Sequence, residues 1–314
     1  MTRVPYDPAL VPIAEYALPL YGTMREVDDL ASTRDGIAAR AAALDLDALA
    51  RDHGVDIEHR GIPGSGGELL TIIRPRSGAS GAAAIVYVHG GGLVMGHRLQ
   101  NAEELASIAT RFGAPVVTVD YRLAPAHPYP AAIDDVANAW ALVRDDLGFD
   151  PVLIGRSAGA GLAAALAIRL RDAGEPGPRA LALWAPMLDD RSDTESCHAY
   201  EDTGLWDAVS NRTAWAAYLA DARDVVPVDA APGRATDLSA LGPVYIDVGT
   251  SEIFRDEAVA FAQSLWRAGV AADLHVWSGV FHGFDAGPAT AVSDRVHATR
   301  DAWIARVLAD PEPA

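Results

Sequence analysis

Two short stretches of this chain place reactive or charge-stabilising groups where chemistry could occur. Gly155-Arg156-Ser157-Ala158-Gly159 sets a serine among small residues. It lies between an apolar run of strand length, Val152–Ile154, and a helix-like run, Ala158–Asp172, closed by Gly174. A strand-to-helix turn this tight lifts the hydroxyl clear of the sheet, aims the next backbone amide back at the attacked group, and needs small flanking residues. A hydroxyl so placed serves as a nucleophile toward an acyl carbon. In a chain rich in Ala and Gly the same five residues could serve only to bring a helix close to a strand. The strand–turn–helix context favours the nucleophile. His89-Gly90-Gly91-Gly92 follows a second apolar run, Ala84–Val88. Consecutive glycines at a strand end leave bare amides free to turn inward on a developing oxyanion. A phosphate loop would require a helix N-terminus and a Lys at fixed spacing, and neither is present. His89 fits a role in orienting this loop rather than that of a base.

A serine nucleophile needs a base, and the base needs an acid. His282 lies in a Gly-flanked loop after the last strand-like run, Leu274–Trp277, and the order serine, acid, histidine is that of one large hydrolase fold. His53, His59, His97, His127, His198, His275 and His297 have no such context. Three carboxylates compete for the acid: Asp247 inside the run Val244–Val248, Glu252 just beyond its end, and Asp256 at the start of the next helix. Glu252 is the one in a loop on the side where strand ends meet ligands. Cys197 next to His198 suggests thiol catalysis only by adjacency in sequence, and catalytic pairs come from separate parts of a fold. No spacing resembles a metal site.

The elements that must hold these groups follow one rhythm. After a hairpin-like pair, Val55–Glu58 and Leu69–Arg74 around the Gly61–Gly67 turn cluster, continuous apolar runs alternate with helical periodicity. The strand-like runs are Ala84–His89, Pro115–Tyr121, Val152–Ile154, Leu181–Trp184, Val244–Val248 and Leu274–Trp277. The helical ones are Asn101–Phe112, Ile133–Leu147, Ala158–Asp172, Glu257–Ala268 and Ser293–Leu308. Fully apolar strands alternating with helices predict an α/β fold with a mostly parallel central sheet covered on both faces. Residues 51–187 and 242–314 are expected to form that core. Residues 188–241 break the rhythm, with only short helical pieces such as Asn211–Leu219, and are expected to be an insertion capping the site. Residues 1–50, punctuated by Pro5, Pro8, Pro12 and Pro19 and then Ala/Leu-rich over Ile37–Ala50, are expected to add N-terminal cap helices.

Composition bounds the rest. The 314 residues suit one large domain with an insertion, and half are apolar. A formal net charge of −18 repels phosphate backbones and anionic headgroups, so neither nucleic acid nor membrane is an expected partner. One cysteine allows no intrachain disulfide and suits a reducing compartment. Met1–Leu20 has no continuous apolar core of the signal-peptide kind, and Ala158–Ile168 is too short to span a bilayer. These features read as a cytoplasmic, soluble protein. A homodimer is allowed for, though nothing in the sequence specifies the oligomer.

Four motifs together carry a resemblance. His89–Gly92; Asp120-Tyr121-Arg122-Leu123-Ala124-Pro125-Ala126-His127-Pro128-Tyr129-Pro130-Ala131-Ala132; Gly155–Gly159; and Glu252–Glu257 with Phe281-His282-Gly283-Phe284 resemble, in order and spacing, the hormone-sensitive-lipase-like carboxylesterases, the bacterial family IV esterases. The resemblance covers about residues 80 to 310. It implies an α/β-hydrolase core, a helical cap, a small-molecule ester substrate, hydrolysis of short-chain esters, and no cofactor. It places the triad acid on Glu252, in a segment reading Glu-Ile-Phe-Arg-Asp-Glu where relatives commonly read Asp-Pro-Leu-Arg-Asp-Glu. Arg156 likewise stands where an acidic residue commonly precedes the serine. Ser157, Glu252 and His282 are then the expected triad, with the amides of Gly91, Gly92 and Ala158 as oxyanion donors. Leu93, Met95, Trp206 and Tyr218 are pocket candidates, with ordinary packing as their alternative role. A lactone, carbonate or amide hydrolase would use the same machinery. A ligand receptor on this scaffold would be expected to lose a triad member, and no G-x-G-x-x-G opens a helix as nicotinamide binding requires.

Overall fold

The structure, a computed structural model, describes residues 2–18, 23–78 and 83–309. Met1, residues 19–22, 79–82 and 310–314 lie outside the described residues, and with them Pro19 and the extreme ends of the expected cap and core segments. Helices α1 (Val11–Ala17), α2 (Ala31–Ala42) and α3 (Leu46–His53) precede the strands β1 (Val55–Gly61), β2 (Leu69–Pro75) and β3 (Ala83–Val88). Then come α4 (Ala102–Phe112), β4 (Val116–Val119), α5 (Ala131–Ala141), β5 (Asp150–Arg156), α6 (Ala158–Ala173) and β6 (Leu181–Trp184). The stretch with no strand carries α7 (Glu195–Ala199) and α8 (Ala208–Leu219). The chain ends with β7 (Val244–Gly249), α9 (Arg255–Arg267), β8 (Ala272–Trp277) and α10 (Ala291–Ala309).

The eight strands form one sheet in the order β1-β2-β4-β3-β5-β6-β7-β8. β2 runs antiparallel to both β1 and β4, and the other neighbours are parallel. The hairpin expected at the sheet edge is β1–β2, and Asp56 and Glu58 keep its outer strand charged and exposed, which discourages edge-to-edge pairing. The central strands are apolar on both faces because both faces are covered. Val86, Val88 and Leu153 point into a core with α5, α6 and α9. Their neighbours Ile85, Tyr87, Val152 and Ile154 point the other way, toward α3, α4 and α10. Each such side chain fully buried is worth about 1.5–3 kcal/mol. Among the described residues no helix is long and apolar enough to cross a bilayer.

The N-terminal helices differ from the expectation in two respects. Ile37–Ala50 is not one helix. Asp45 accepts a hydrogen bond from the Ala48 amide at 2.9 Å and so caps a new helix, α3, three residues after α2 ends. α3 also buries Leu49 in the core on the sheet's far face, away from the insertion, whereas α1 packs Leu10, Ala14 and Ile13 against Phe281 and Phe284. The segment between α1 and α2 is tied to the insertion: the Met24 amide donates to Ser210 Oγ at 2.9 Å, and Thr23 Oγ1 donates to Asp207 at 2.5 Å.

Candidate active site

Every chemistry-bearing stretch sits at the carboxyl end of a parallel strand. The glycine loop follows β3, Ser157 follows β5, Glu252 follows β7 and His282 follows β8. That is where open α/β sheets place ligands.

Ser157 has φ 56° and ψ −121°, outside the regions ordinary residues favour. The turn is held by its own hydrogen bonds. Its amide donates to the Trp184 carbonyl at 2.8 Å, and its carbonyl accepts from Ala160 and Met187 at 3.0 and 3.1 Å. The flanking glycines are needed for space: a Cβ on Gly155 would lie 2.3 Å from the Gly159 carbonyl oxygen, and one on Gly159 would lie 2.2 Å from that of Val88. Close approach of helix to strand and exposure of the serine are thus one feature, not alternatives.

His282 and Glu252 reach the serine from two further loops. His282 Nε2 is 3.0 Å from Ser157 Oγ, and its Nδ1 is 2.7 Å from Glu252 Oε2. Glu252, 3 % exposed, has its other oxygen on the Gly249 amide at 2.9 Å. Phe254 sets its ring edge-on to the imidazole at 5.0 Å. The two competing carboxylates are engaged elsewhere. Asp247 is paired with Arg300 at 2.6 Å, and Asp256 accepts from the Ser196 amide at 2.7 Å and pairs with Arg255.

The glycine loop faces the serine from β3. Among the described residues the amides of Gly91, Gly92 and Ala158 donate to no protein acceptor, so they are free for an oxygen of a bound molecule. Gly91 (φ 128°) could not carry a Cβ, which would fall 2.0 Å from the Met95 carbonyl oxygen. His89 is buried, stacks on Tyr121 at 4.3 Å and contacts the Gly90 carbonyl through Nδ1 at 2.8 Å. Burial lowers its pKa, so the ring stays neutral and braces the loop. The Asp120–Ala132 motif is scaffolding for this loop. Asp120 holds Arg98 through backbone and guanidinium, Tyr121 donates to the His89 carbonyl at 2.9 Å, and Arg122 is clamped on buried Asp135.

These groups open into a cavity of about 770 Å³. Of the four pocket candidates, Met95 and Trp206 lie on its wall. Leu93 and Tyr218 are not among its lining residues. Leu93 is turned into the core at φ 65°, and Tyr218 packs against Tyr129 and Trp215 on the inner side of α8. No residue of α8 is among the lining residues, which helical spacing alone could not show. The structure adds residues the motifs did not point to: Pro12, Ile13 and Tyr16 from α1, and Phe281, Phe284 and Trp277 around the histidine. The prolines and apolar residues of the first twenty positions were the only available sign of the former.

A strained serine, a histidine between it and a buried carboxylate, and unpaired amides beside them constitute a serine hydrolase's arrangement on a doubly wound sheet. The sequence profile described as alpha/beta hydrolase fold matches residues 85–286. Esterase LipI of Mycobacterium tuberculosis is 37 % identical over 215 residues, 65 % of this chain and 66 % of that protein, so the match spans just under two thirds of LipI. The carboxylic ester hydrolase LipN of the same organism is 34 % identical over 82 % of this chain and 72 % of its own length. Two solved structures align nearly end to end. Esterase LipW from Mycobacterium marinum has TM-score 0.85 and 31 % identity over 98 % of this chain and 97 % of LipW. A bacterial heroin esterase has TM-score 0.85 and 31 % identity over 97 % and 98 %. The chain belongs to the α/β-hydrolase family, in its hormone-sensitive-lipase-like branch.

Proposed function

We propose that this protein is a serine esterase that hydrolyses short-chain carboxylic esters through an acyl-enzyme on Ser157. The observation that carries the reading is His282, bridging Ser157 Oγ and Glu252 at 3.0 and 2.7 Å. Ser157 Oγ attacks the ester carbonyl while His282 Nε2 takes its proton. The carbonyl oxygen becomes an oxyanion received by the amides of Gly91, Gly92 and Ala158. Glu252 accepts from Nδ1, holds the tautomer in which Nε2 is the acceptor, and stabilises the imidazolium. Collapse expels the alcohol with the proton from Nε2. Water, deprotonated by the same nitrogen, then releases the carboxylic acid and restores the serine.

In this reading α1, the Thr23–Met24 segment bonded to the insertion, and residues 188–241 form the cap over a core built on the eight strands. Trp206 is the cap's contact with the oxyanion loop, since a Cβ on Gly92 would lie 2.3 Å from its indole. The aromatic and aliphatic walls suit an apolar ester substrate. The acidic surface argues against nucleic acid or anionic membrane as a partner, and buried, unpaired Cys197 suits a reducing cytoplasm. The test is labelling with a fluorophosphonate and mapping of the adduct. Modification of Ser157 with loss of ester turnover is expected. A modified serine elsewhere, or full activity in Ser157→Ala, sinks the assignment.

A further inference from the structure

Beside the triad lies a second polar network that the reaction does not use. Arg156, immediately before the nucleophile, has Nη2 3.2 Å from Asp285 Oδ2. Asp285 follows the base by three residues. The same oxygen is 3.2 Å from Arg300 Nη1 on α10. Arg300 in turn pairs with Asp247 at 2.6 and 3.0 Å, on the strand whose end leads to Glu252. Arg156 also reaches both oxygens of Glu104 on α4 at 3.0 Å, and both guanidiniums lie over the Trp184 ring, at 5.4 and 4.3 Å. Each triad member thus has a near sequence neighbour in one network on the cavity wall; the side chains of Asp247, Asp285 and Arg300 are 1, 6 and 5 % exposed, those of Arg156 and Glu104 19 and 29 %.

We propose that the Arg156–Asp285 pair, braced by Arg300 and Asp247, is the device that positions the His282 loop against the nucleophile. Between β8 and α10 the loop has one 3-10 turn, Phe284–Ala286, and its apolar side is held by the packing of Phe281 and Phe284 under α1. Among the described residues, Arg156–Asp285 is its polar side-chain tie to the serine turn apart from His282 itself. Burial alone would raise the Asp285 pKa, yet Arg156, His297 and Arg300 hold it well below the ordinary carboxylate range, which favours an ionised tie. An exposed pair would contribute little. This pair is largely shielded from water, Arg156 19 % and Asp285 6 % exposed, and each member has a second partner, Glu104 and Arg300, which limits how far either can swing. Arg156 and Asp285 are positioning residues here, acting through the separation of Nε2 and Oγ.

The proposal rests on Ser157 and His282 being nucleophile and base, and the experiment separates the two ideas. For wild type, Asp285→Asn, Asp285→Glu and the double variant Arg156→Gln/Asp285→Asn, one measures kcat and KM on a soluble aryl acetate and the second-order rate of fluorophosphonate labelling. Misplacement by about 1 Å costs on the order of 100-fold. Asp285→Asn is therefore expected to lose about 30- to 100-fold in kcat and in labelling rate, with KM within about threefold. Asp285→Glu, which restores the charge, is expected to recover most of it. The double variant removes both charges of the pair and leaves only Glu104, 29 % exposed to water, without its Arg156 partner; it serves where Asp285→Asn fails to fold, and is expected to show the same loss in kcat. Folded variants within twofold of wild type overturn the proposal, and so does a failure of every variant to fold, which assigns the pair to stability. Wild-type protein that the probe does not label removes the esterase reading itself, and this inference with it.

Discussion

Glu252→Gln tests the acid in a way the local geometry makes quantitative. Both oxygens of Glu252 face donors, the Gly249 amide at 2.9 Å and His282 Nδ1 at 2.7 Å. An amide has one acceptor and one donor. With its oxygen on Gly249, its NH₂ meets Nδ1, which must then be the bare nitrogen. Nε2 carries the hydrogen instead and points it at Ser157 Oγ, so it cannot take the serine's proton. Turned over, the NH₂ abuts the Gly249 N–H in a buried site, where an unmet polar group costs about 1–3 kcal/mol. The first arrangement wins, so the fold survives and the chemical step suffers. The same change in a serine protease triad lowers kcat about 10⁴-fold, or roughly 5.4 kcal/mol of barrier. The assay is kcat and KM on 4-nitrophenyl acetate, with circular dichroism and the thermal midpoint as controls. Asp256→Asn should cost less than about tenfold, because that carboxylate serves Ser196 and Arg255. Asp247→Asn should chiefly lower the thermal midpoint, since it leaves Arg300 underpaired. The reasoning is refuted if Glu252→Gln keeps within tenfold of wild-type turnover while either other variant loses four orders of magnitude.

Three further outcomes are expected. Gly92→Ala forces a Cβ 2.3 Å from the Trp206 indole at φ +61°, so the loop must shift; kcat should fall about 10²- to 10³-fold, the size of a lost oxyanion donor, with little change in the far-UV spectrum. Glu257 is buried, with one oxygen on the Leu188 amide and the other without a partner, and burial raises its pKa well above the ordinary 4.5. Its contribution to stability is present below the unfolded value and is lost as pH rises toward the folded one. Glu257→Gln should therefore leave the midpoint unchanged near pH 4.5 and raise it by about 2–4 °C at pH 8, equivalent to roughly 1 kcal/mol; pH-resolved thermal melts decide it. Removing residues 1–17 strips α1 from Phe281 and Phe284 and opens the cavity. Turnover of aryl acetate should fall at least about tenfold, since a base displaced by 1 Å costs about 100-fold. The preference for acetate and butyrate over long-chain esters, measured on a soluble series, should narrow, and an unchanged profile argues against the cap.

Much of this was legible in the chain alone because the relevant geometry is local. The serine turn is specified by five residues between a strand and a helix, and the glycine loop by four at a strand end. The parallel sheet follows from apolar runs alternating with 3.6-residue periodicity. Elements whose side chains all answer to one neighbouring layer, such as β3, β5 and α6, were placed to within a few residues. What the chain did not disclose depends on groups far apart in sequence. Nothing local relates Tyr16 to the pocket mouth, turns Tyr218 and Leu93 into the core, or separates α3 from the cap. Arg156 read as a departure from its relatives. Only the folded chain brings it to Asp285, 129 positions away, and through that to Arg300, and so turns an odd charge beside the serine into one member of an ion-paired network. Backbone preference and hydrophobic period act over a few residues and can be read from sequence. Charge pairing and cavity walls are decided by distance in space, which only the assembled sheet and its loops define.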